Sequence, residues 1–223
     1  NVHKLSTLLP IMAIMKTAYN KATKKRISYH TLSPQLKTGD LVLFAGTSWS
    51  SRIVQLFTFS QWSHIGVVVR LPQYDNQPLL WELTRASKLA DIEHGVLADG
   101  LQLVPLADKI KTYAGQVAIR RLKHGGDEAT RLAHLQHLLA VWQAKPYCNI
   151  VKKNLQAWWR GEQACTIGLS GGFCSEFVAE LYKQWQLLPH DKPSRYYLPD
   201  DFARSSSLKL LRGQLSPAWL LTV

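Results

Sequence analysis

The chain has 223 residues, of which 46% are hydrophobic and 19% charged, and this composition predicts one globular domain with its own core. The sequence contains no apolar run of about 18 residues, so we expect no membrane span. The formal net charge of +12 favours an anionic partner such as nucleic acid, anionic lipid or a bacterial cell-wall polymer. Because the basic residues are scattered and no nucleic-acid-reading motif occurs, we do not expect nucleic acid to be the partner.

The three cysteines, Cys148, Cys165 and Cys174, cannot all pair with one another, so at least one thiol is free. Cys148 and Cys165 either form a disulfide in an oxidising compartment or remain two buried thiols, and we favour the thiols. The sequence has no Cys-x-x-Cys, His-Glu-x-x-His or Walker motif. It therefore predicts neither a metal site nor a cofactor.

The N-terminal segment predicts a helix from Leu5 to about Arg26 that is basic toward its end. We interpret residues 1–35 as a helical cover over the rest of the domain. The apolar stretch from Leu8 to Met15 contains Pro10 and has no small-x-small cleavage pattern, so it does not predict a secretory signal.

Two short elements are predicted next along the chain. Leu41 to Phe44 is an apolar run that follows the turn residues Thr38-Gly39-Asp40, and it predicts a strand. Ser51 to Phe59 carries apolar residues at helical spacing and predicts a short helix that packs under the sheet.

The first candidate site residue is a histidine at the start of a β-branched run. Ile65 to Val69 predicts a buried strand with His64 at its beginning. Turn residues at 72–78 lead back into Leu79 to Leu83, which predicts a hairpin. In this hairpin Glu82 lies opposite His64 or on its diagonal, and the even offset places both side chains on one face. Glu82 can therefore orient the imidazole, although a histidine hydrogen-bonded at a sheet rim is the alternative interpretation.

The middle of the chain predicts further strands and a helix. Leu101 to Val104 and Gln116 to Leu122 have the composition of strands. Asp127 caps a helix with leucines at helical spacing after it. Residues 149–170 show no strong periodicity, and we interpret them as an insertion near the site.

The second candidate site residue is Cys174. Gly171 and Gly172 precede a run in which Phe177, Leu181 and Trp185 recur at helical spacing, so Cys174 falls on the first turn of a buried helix. Free backbone N–H groups and the positive end of the helix dipole favour the thiolate, which is the nucleophilic form. The alternative is a small apolar residue in the core.

These features together resemble the circularly permuted branch of the NlpC/P60 papain-like hydrolases, the YaeF/YiiX type, in which the histidine precedes the cysteine. The resemblance covers roughly Leu36 to Leu210. The motifs that carry it are Gly39-Asp40-Leu41-Val42-Leu43-Phe44, Ser63-His64-Ile65-Gly66-Val67-Val68, Glu82, Pro146-Tyr147, Phe173-Cys174-Ser175-Glu176-Phe177 and Tyr197-Leu198-Pro199-Asp200-Asp201-Phe202-Ala203-Arg204-Ser205. The chain departs from the family at Cys148, where aspartate is common.

The resemblance implies a single α+β domain over residues 1–223, papain-like, with a mainly antiparallel sheet of about five or six strands packed against the helix that carries Cys174. It also implies a cysteine peptidase or amidase in which His64 takes the proton of Cys174 and Glu82 holds the ring. The candidates for oxyanion or substrate binding are Tyr147, Ser63 and Trp62.

At closer range the chain resembles type VI secretion effectors that attack the bacterial cell wall. That resemblance implies a peptidoglycan substrate, a cognate immunity protein and a carrier in the secretion apparatus. It further implies synthesis in the cytoplasm, followed by action in the periplasm of a target cell. Two alternatives stay open: a lipid ester or acyl hydrolase, or acyltransferase, that uses the same triad, and a non-catalytic binding module in which Cys174 and His64 are core residues.

Overall fold

The computed structural model describes residues 25–58, 60–84, 87–97, 100–143, 172–204 and 208–222. The expected N-terminal helix therefore lies outside the described residues except at its end. The same holds for Tyr147, for the cysteines at 148 and 165, and for the insertion at 149–170.

Within the described residues, seven strands form one sheet in the order β1-β9-β6-β2-β3-β4-β5, and two short strands, β7 and β8, form a second. The strands are β1 Arg26–Ser28, β2 Leu41–Gly46, β3 His64–Val69, β4 Leu79–Thr84, β5 Gly100–Pro105, β6 Gly115–Arg120, β7 Leu122–Lys123, β8 Gln214–Leu215 and β9 Trp219–Thr222. Every described neighbouring pair is antiparallel except β1 with β9, which is parallel.

Helices lie on both faces of the large sheet. The α-helices are α1 Tyr29–Leu32, α2 Trp49–Thr58, α3 Leu106–Thr112, α4 Glu128–Gln143, α5 Gly172–Gln184 and α6 Pro199–Ala203, and short 3-10 turns cover Ser33–Gln35, Pro72–Tyr74 and Ser194–Tyr196. The capping role expected for Asp127 is observed, since its carboxylate accepts the backbone N–H of Thr130 at 3.0 Å at the start of α4.

The buried side chains divide into two clusters, one on each face of the sheet, because successive strand residues point to opposite faces. On one face α5 packs against β3 and β4, with side chains that include Ile65, Val67, Trp81, Phe177 and Tyr182. On the other face α3 contributes to a second cluster, with side chains that include Phe44, Val68, Leu80, Leu106 and Ile110. The sheet is therefore a central layer that fixes α3 and α5 relative to each other.

The structure confirms the predicted α+β class: a mainly antiparallel sheet packs against the helix that carries Cys174. The number of strands was underestimated, because β1 and β9 are short strands of three and four residues with weak sequence patterns. Arg26 was expected near the end of a helix, but it begins β1, where Ile27 packs against the second cluster.

None of the described helices combines the length and the apolar character that a membrane crossing requires.

Candidate active site

Cys174 occupies the first turn of α5, as the glycines before it predict. The helix begins at Gly172, so Cys174 lies beside backbone N–H groups that have no partner within the helix. Its orientation is set by the packing of α5 on the sheet, where the rings of Phe177 and Trp81 meet edge to face at 4.8 Å. The thiol is buried and not part of a disulfide. The Cys174 side chain therefore lies at the positive end of the helix dipole of α5.

His64 begins β3, and its ring reaches the thiol. The side chain of Cys174 is hydrogen-bonded to the imidazole. Phe44 is paired with His64 across β2 and β3, and the centroids of their two rings lie 5.4 Å apart. The His64 side chain is 18% exposed, so the imidazole is the solvent-accessible member of the pair formed by Cys174 and His64.

Glu82 on β4 contacts the second nitrogen of the same ring. His64 Nε2 lies 2.5 Å from Glu82 Oε2, which leaves Nδ1 for the thiol. The register of β3 with β4 pairs Val67 with Trp81, so Glu82 is on the diagonal of His64 and on the same face. The residue opposite Glu82 is Gly66, where an added Cβ would lie 3.1 Å from the Cβ of Glu82. Glycine at this position therefore leaves room for the carboxylate to reach the ring.

The charges of the three side chains are coupled. Burial of Glu82 opposes its ionisation, but the charges of His64 and Lys109 and their hydrogen bonds outweigh this and lower its pKa from 4.5 to about 2. Burial likewise opposes protonation of His64, yet the interactions with Cys174 and Glu82 raise its pKa from 6.5 to about 9. Near neutral pH the arrangement therefore favours a carboxylate next to an imidazolium.

Two residues that hold Glu82 were not predicted from the sequence. Lys109 Nζ on α3 lies 2.5 Å from Glu82 Oε1, and Gln102 Nε2 on β5 donates to the same oxygen at 2.6 Å. Gln102 is directly opposite Glu82 in the register of β4 with β5. A signal was present for Gln102, since it is a polar residue within an apolar strand and so is Glu82. No comparable signal marked Lys109, because α3 itself was not predicted.

The predicted oxyanion and substrate candidates have different surroundings. Ser63 is buried beside His64; its Oγ accepts the Gly46 N–H at 3.2 Å and donates to the Phe44 carbonyl at 3.3 Å. Trp62 is fully buried in the cluster beneath α5, which places its indole in the core. Tyr147 lies outside the described residues.

A tyrosine that the sequence analysis did not single out lies beside this region. Burial raises the pKa of Tyr113 to about 12. The hydrogen bonds of its hydroxyl to the side chains of Ser63 and Ser51 lower the pKa, but by less than burial raises it. The ring of Tyr113 also contacts the ring of Phe44, which packs against His64, in a tilted arrangement with 4.8 Å between the Tyr113 and Phe44 centroids. Tyr113 is therefore a neutral hydroxyl at the rim of the candidate site across the working pH range.

Among the side chains that the structure describes, no group of three or more histidine, cysteine, aspartate or glutamate residues has the arrangement to hold a metal ion.

Fold and site together define an α+β scaffold in which a cysteine at a helix start, a histidine at a strand start and a glutamate form one hydrogen-bonded series. No protein-family model matches the chain, and no curated protein matches its sequence. Among solved structures, the chain is similar to a crystal structure described as the metalloprotein yiiX from Escherichia coli O157:H7, DUF1105. The two share 18% sequence identity, with a TM-score of 0.43, over 82% of this chain and 89% of that chain. The finer resemblance to permuted NlpC/P60 hydrolases stays a prediction.

Proposed function

We propose that the protein is a cysteine hydrolase that cleaves an amide bond in bacterial peptidoglycan peptides. The observation that carries this proposal is the series of hydrogen bonds from Cys174 through His64 to Glu82 at the start of α5. A nucleophile, a base within hydrogen-bond reach and a third group that orients the base are the parts that covalent acyl transfer requires.

Each residue has a defined role in the proposed reaction. The thiolate of Cys174 attacks the amide carbonyl carbon, so that a bond from sulfur to carbon forms and the carbonyl oxygen becomes an oxyanion. His64 gives its proton to the leaving nitrogen as the C–N bond breaks, and then accepts a proton from the water that hydrolyses the thioester. Glu82 holds the ring and stabilises the imidazolium while it is charged.

The oxyanion needs donors that are in place before the reaction. The backbone N–H of Cys174 at the first turn of α5 is one, and each donor of this kind contributes about 3 kcal/mol in known enzymes. Tyr147 is the second donor that the family resemblance implies. Tyr113 supplies another protonated hydroxyl close to Ser63, and we include it among the candidates.

The proposed substrate and setting rest on charge and on resemblance. A formal net charge of +12 suits retention on an anionic cell wall. The sequence motifs resemble those of the type VI secretion effector TseH, which supports export from the producing cytoplasm and action in the periplasm of a target cell. A carrier in the secretion apparatus and a cognate immunity protein are the partners that such a role requires.

The binding-module alternative requires a thiol and an imidazole that are buried beyond hydrogen-bond reach of each other. The hydrogen bond between the side chains of Cys174 and His64 argues against it. The lipid alternative uses the same three residues, so only the substrate separates it from the proposal.

The decisive experiment incubates the protein with purified sacculi and identifies the released fragments by mass spectrometry. We expect new peptide termini at one type of amide bond with the native protein and none with Cys174→Ala, which serves as the matched control. A parallel incubation with phospholipid vesicles tests the lipid alternative. Release of fatty acid from vesicles, with sacculi left intact, would replace peptidoglycan as the substrate. Cleavage of sacculi by Cys174→Ala would overturn the assignment of the nucleophile.

A further inference from the structure

A partly buried lysine, Lys109, contacts the oxygen of Glu82 that does not face the histidine. Glu82 is 0% exposed, its Oε2 faces His64, and its Oε1 accepts from Lys109 at 2.5 Å and from Gln102 at 2.6 Å. The side chain of Lys109 is itself only 12% exposed. The carboxylate therefore lies between two cations, one on the reacting side and one behind it.

The position of Lys109 is set by the core rather than by a flexible surface. Leu106 and Ile110 on the same helix are buried in the cluster on the α3 face of the sheet, next to Phe44 and Leu80. The ammonium group lies 5.7 Å from the centre of the Phe44 ring, which also packs against His64. A lysine that only solubilised α3 would point outward, as Lys111 does with a side chain that is 67% exposed.

We propose that Lys109 is a positioning residue that holds the far oxygen of Glu82 and thereby sets the pH range in which Cys174 and His64 react. This inference rests on the proposed function, because it concerns the same nucleophile and base. Lys109 acts through Glu82 and touches neither the thiol nor the substrate.

Two effects follow from this geometry. Holding Oε1 restricts rotation of the carboxyl group, so Oε2 stays directed at Nε2 of His64. The positive charge also balances the negative charge of Glu82, so the buried group as a whole carries less net charge. Removal of a positive charge favours the more protonated form of every neighbouring group.

The groups that surround this charge come from several elements. Gln102 on β5 is neutral, and Asp108 on α3 faces Lys111 at 3.7 Å. Tyr113 remains protonated, since its pKa is about 12. Lys109 lowers the pKa of Glu82, and Glu82 in turn raises the pKa of His64, so the effect of Lys109 on the site passes through the carboxylate.

The test measures the rate at which iodoacetamide labels Cys174, followed by peptide mapping, as a function of pH. In Lys109→Met we expect the whole profile to move to higher pH by up to about one unit, less than a directly neighbouring charge can produce, because Lys109 contacts Glu82 and not the thiol. Lys111→Met, which removes the same charge from the same helix at an exposed position, should leave the profile in place. Lys109→Arg keeps the charge and should restore most of the native profile.

A double substitution shows whether Lys109 acts through Glu82. In a Glu82→Gln background the carboxylate is absent, so adding Lys109→Met should move the profile by clearly less than it does in the native background. If Lys109→Met does not fold, Lys109→Gln is the second variant, because its shorter amide side chain removes the charge but keeps a polar group at this position. Unchanged profiles in the neutral variants would overturn the proposal, as would equal shifts in the two backgrounds.

This experiment separates the failure of the inference from the failure of the proposed function. Alkylation requires no substrate, so the role of Lys109 can be established even if sacculi are not cleaved. Conversely, if sacculi are cleaved and the profile of Lys109→Met equals that of the native protein, only the inference about Lys109 fails.

Discussion

Glu82 and Asp40 are both fully buried carboxylates, but they lie near opposite ends of the paired strands β2 and β3 and have different partners. Glu82 lies near the end where Phe44 pairs with His64, and its partners are the side chains of His64, Lys109 and Gln102. Asp40 precedes the first residue of β2. Its partners are the backbone N–H groups of Lys37 at 3.0 Å and Leu122 at 2.8 Å, with Arg121 Nε at 3.4 Å.

The same degree of burial has opposite electrostatic results at the two positions. Burial raises the pKa of Asp40, and its backbone hydrogen bonds and Arg121 reduce this effect without reversing it. At Glu82 the charges of His64 and Lys109 do reverse it, and the pKa falls to about 2. The partners of Glu82 include a histidine and a lysine, whereas two of the three partners of Asp40 are backbone N–H groups. Asp40 instead ties two chain segments together.

The largest contrast is expected in catalysis. Cys174→Ala and His64→Ala should each lower hydrolysis of the verified substrate by at least about a thousandfold, and the double variant should be no worse than either single one, because the two act as a unit. Asp40→Asn should keep the rate per folded molecule within about twofold, as expected for a residue remote from the chemistry. Rates would be normalised to the folded fraction by circular dichroism. A comparable loss of rate in Asp40→Asn would show that Asp40 matters for catalysis as much as Cys174 and His64 do.

A smaller loss is expected for Glu82→Gln. Glutamine fills the same space and accepts one hydrogen bond, but it carries no charge to stabilise the imidazolium, so we expect kcat to fall about ten- to a hundredfold. Steady-state kinetics would measure this, with Gln102→Asn as a control that shortens a neutral donor to the same oxygen. Native rates in Glu82→Gln would show that Glu82 only fills space.

The next effect concerns the titration of His64. Its pKa is raised from 6.5 to about 9 because the effects of Cys174 and Glu82 exceed that of burial, so NMR of labelled histidine should show a midpoint near 9. In Cys174→Ala one of these two partners is lost, and the midpoint should fall by about one unit or more. His64→Ala identifies the signal among the eight histidines.

The same shift affects the stability of the fold. A histidine with a raised pKa in the folded state stabilises it fully below pH 6.5, and this contribution is lost as the pH rises toward 9. The free energy of unfolding should therefore decrease over this interval, and less steeply in Cys174→Ala. A native midpoint near 6.5 would contradict the coupling of the two side chains.

The smallest effect is expected at acidic pH, where protonation of the two carboxylates has opposite effects on the stability of the fold. The pKa of Glu82 is lowered from 4.5 to about 2, so its contribution to stability is lost as the pH falls through that interval. The pKa of Asp40 is raised above 3.8, so protonation of Asp40 favours the folded state as the pH falls. The free energy of unfolding would be measured with urea between pH 5 and 2.5. It should decrease less steeply with falling pH in Glu82→Gln than in the native protein, and more steeply in Asp40→Asn. The same slope in both variants would show that the two carboxylates do not differ.

The sequence by itself determined the local parts of the site. A β-branched run, a short turn and a returning strand were enough to place His64 and Glu82 on one face, because side chains alternate along strands with a period of two. Two glycines and helical spacing placed Cys174 on the first turn of a helix. These signals come from residues close together in the chain, and local geometry suffices to interpret them.

Only the tertiary structure decided how the parts meet. The hydrogen bond between Cys174 and His64 depends on how α5 packs across the sheet, and no pattern within either segment specifies that packing. Lys109 reaches Glu82 because α3 follows β5, and β5 pairs with β4 in a register that also brings Gln102 to the carboxylate. The seven-residue helix that carries Lys109 shows no periodicity long enough to predict, since short helices are stabilised chiefly by the core they join.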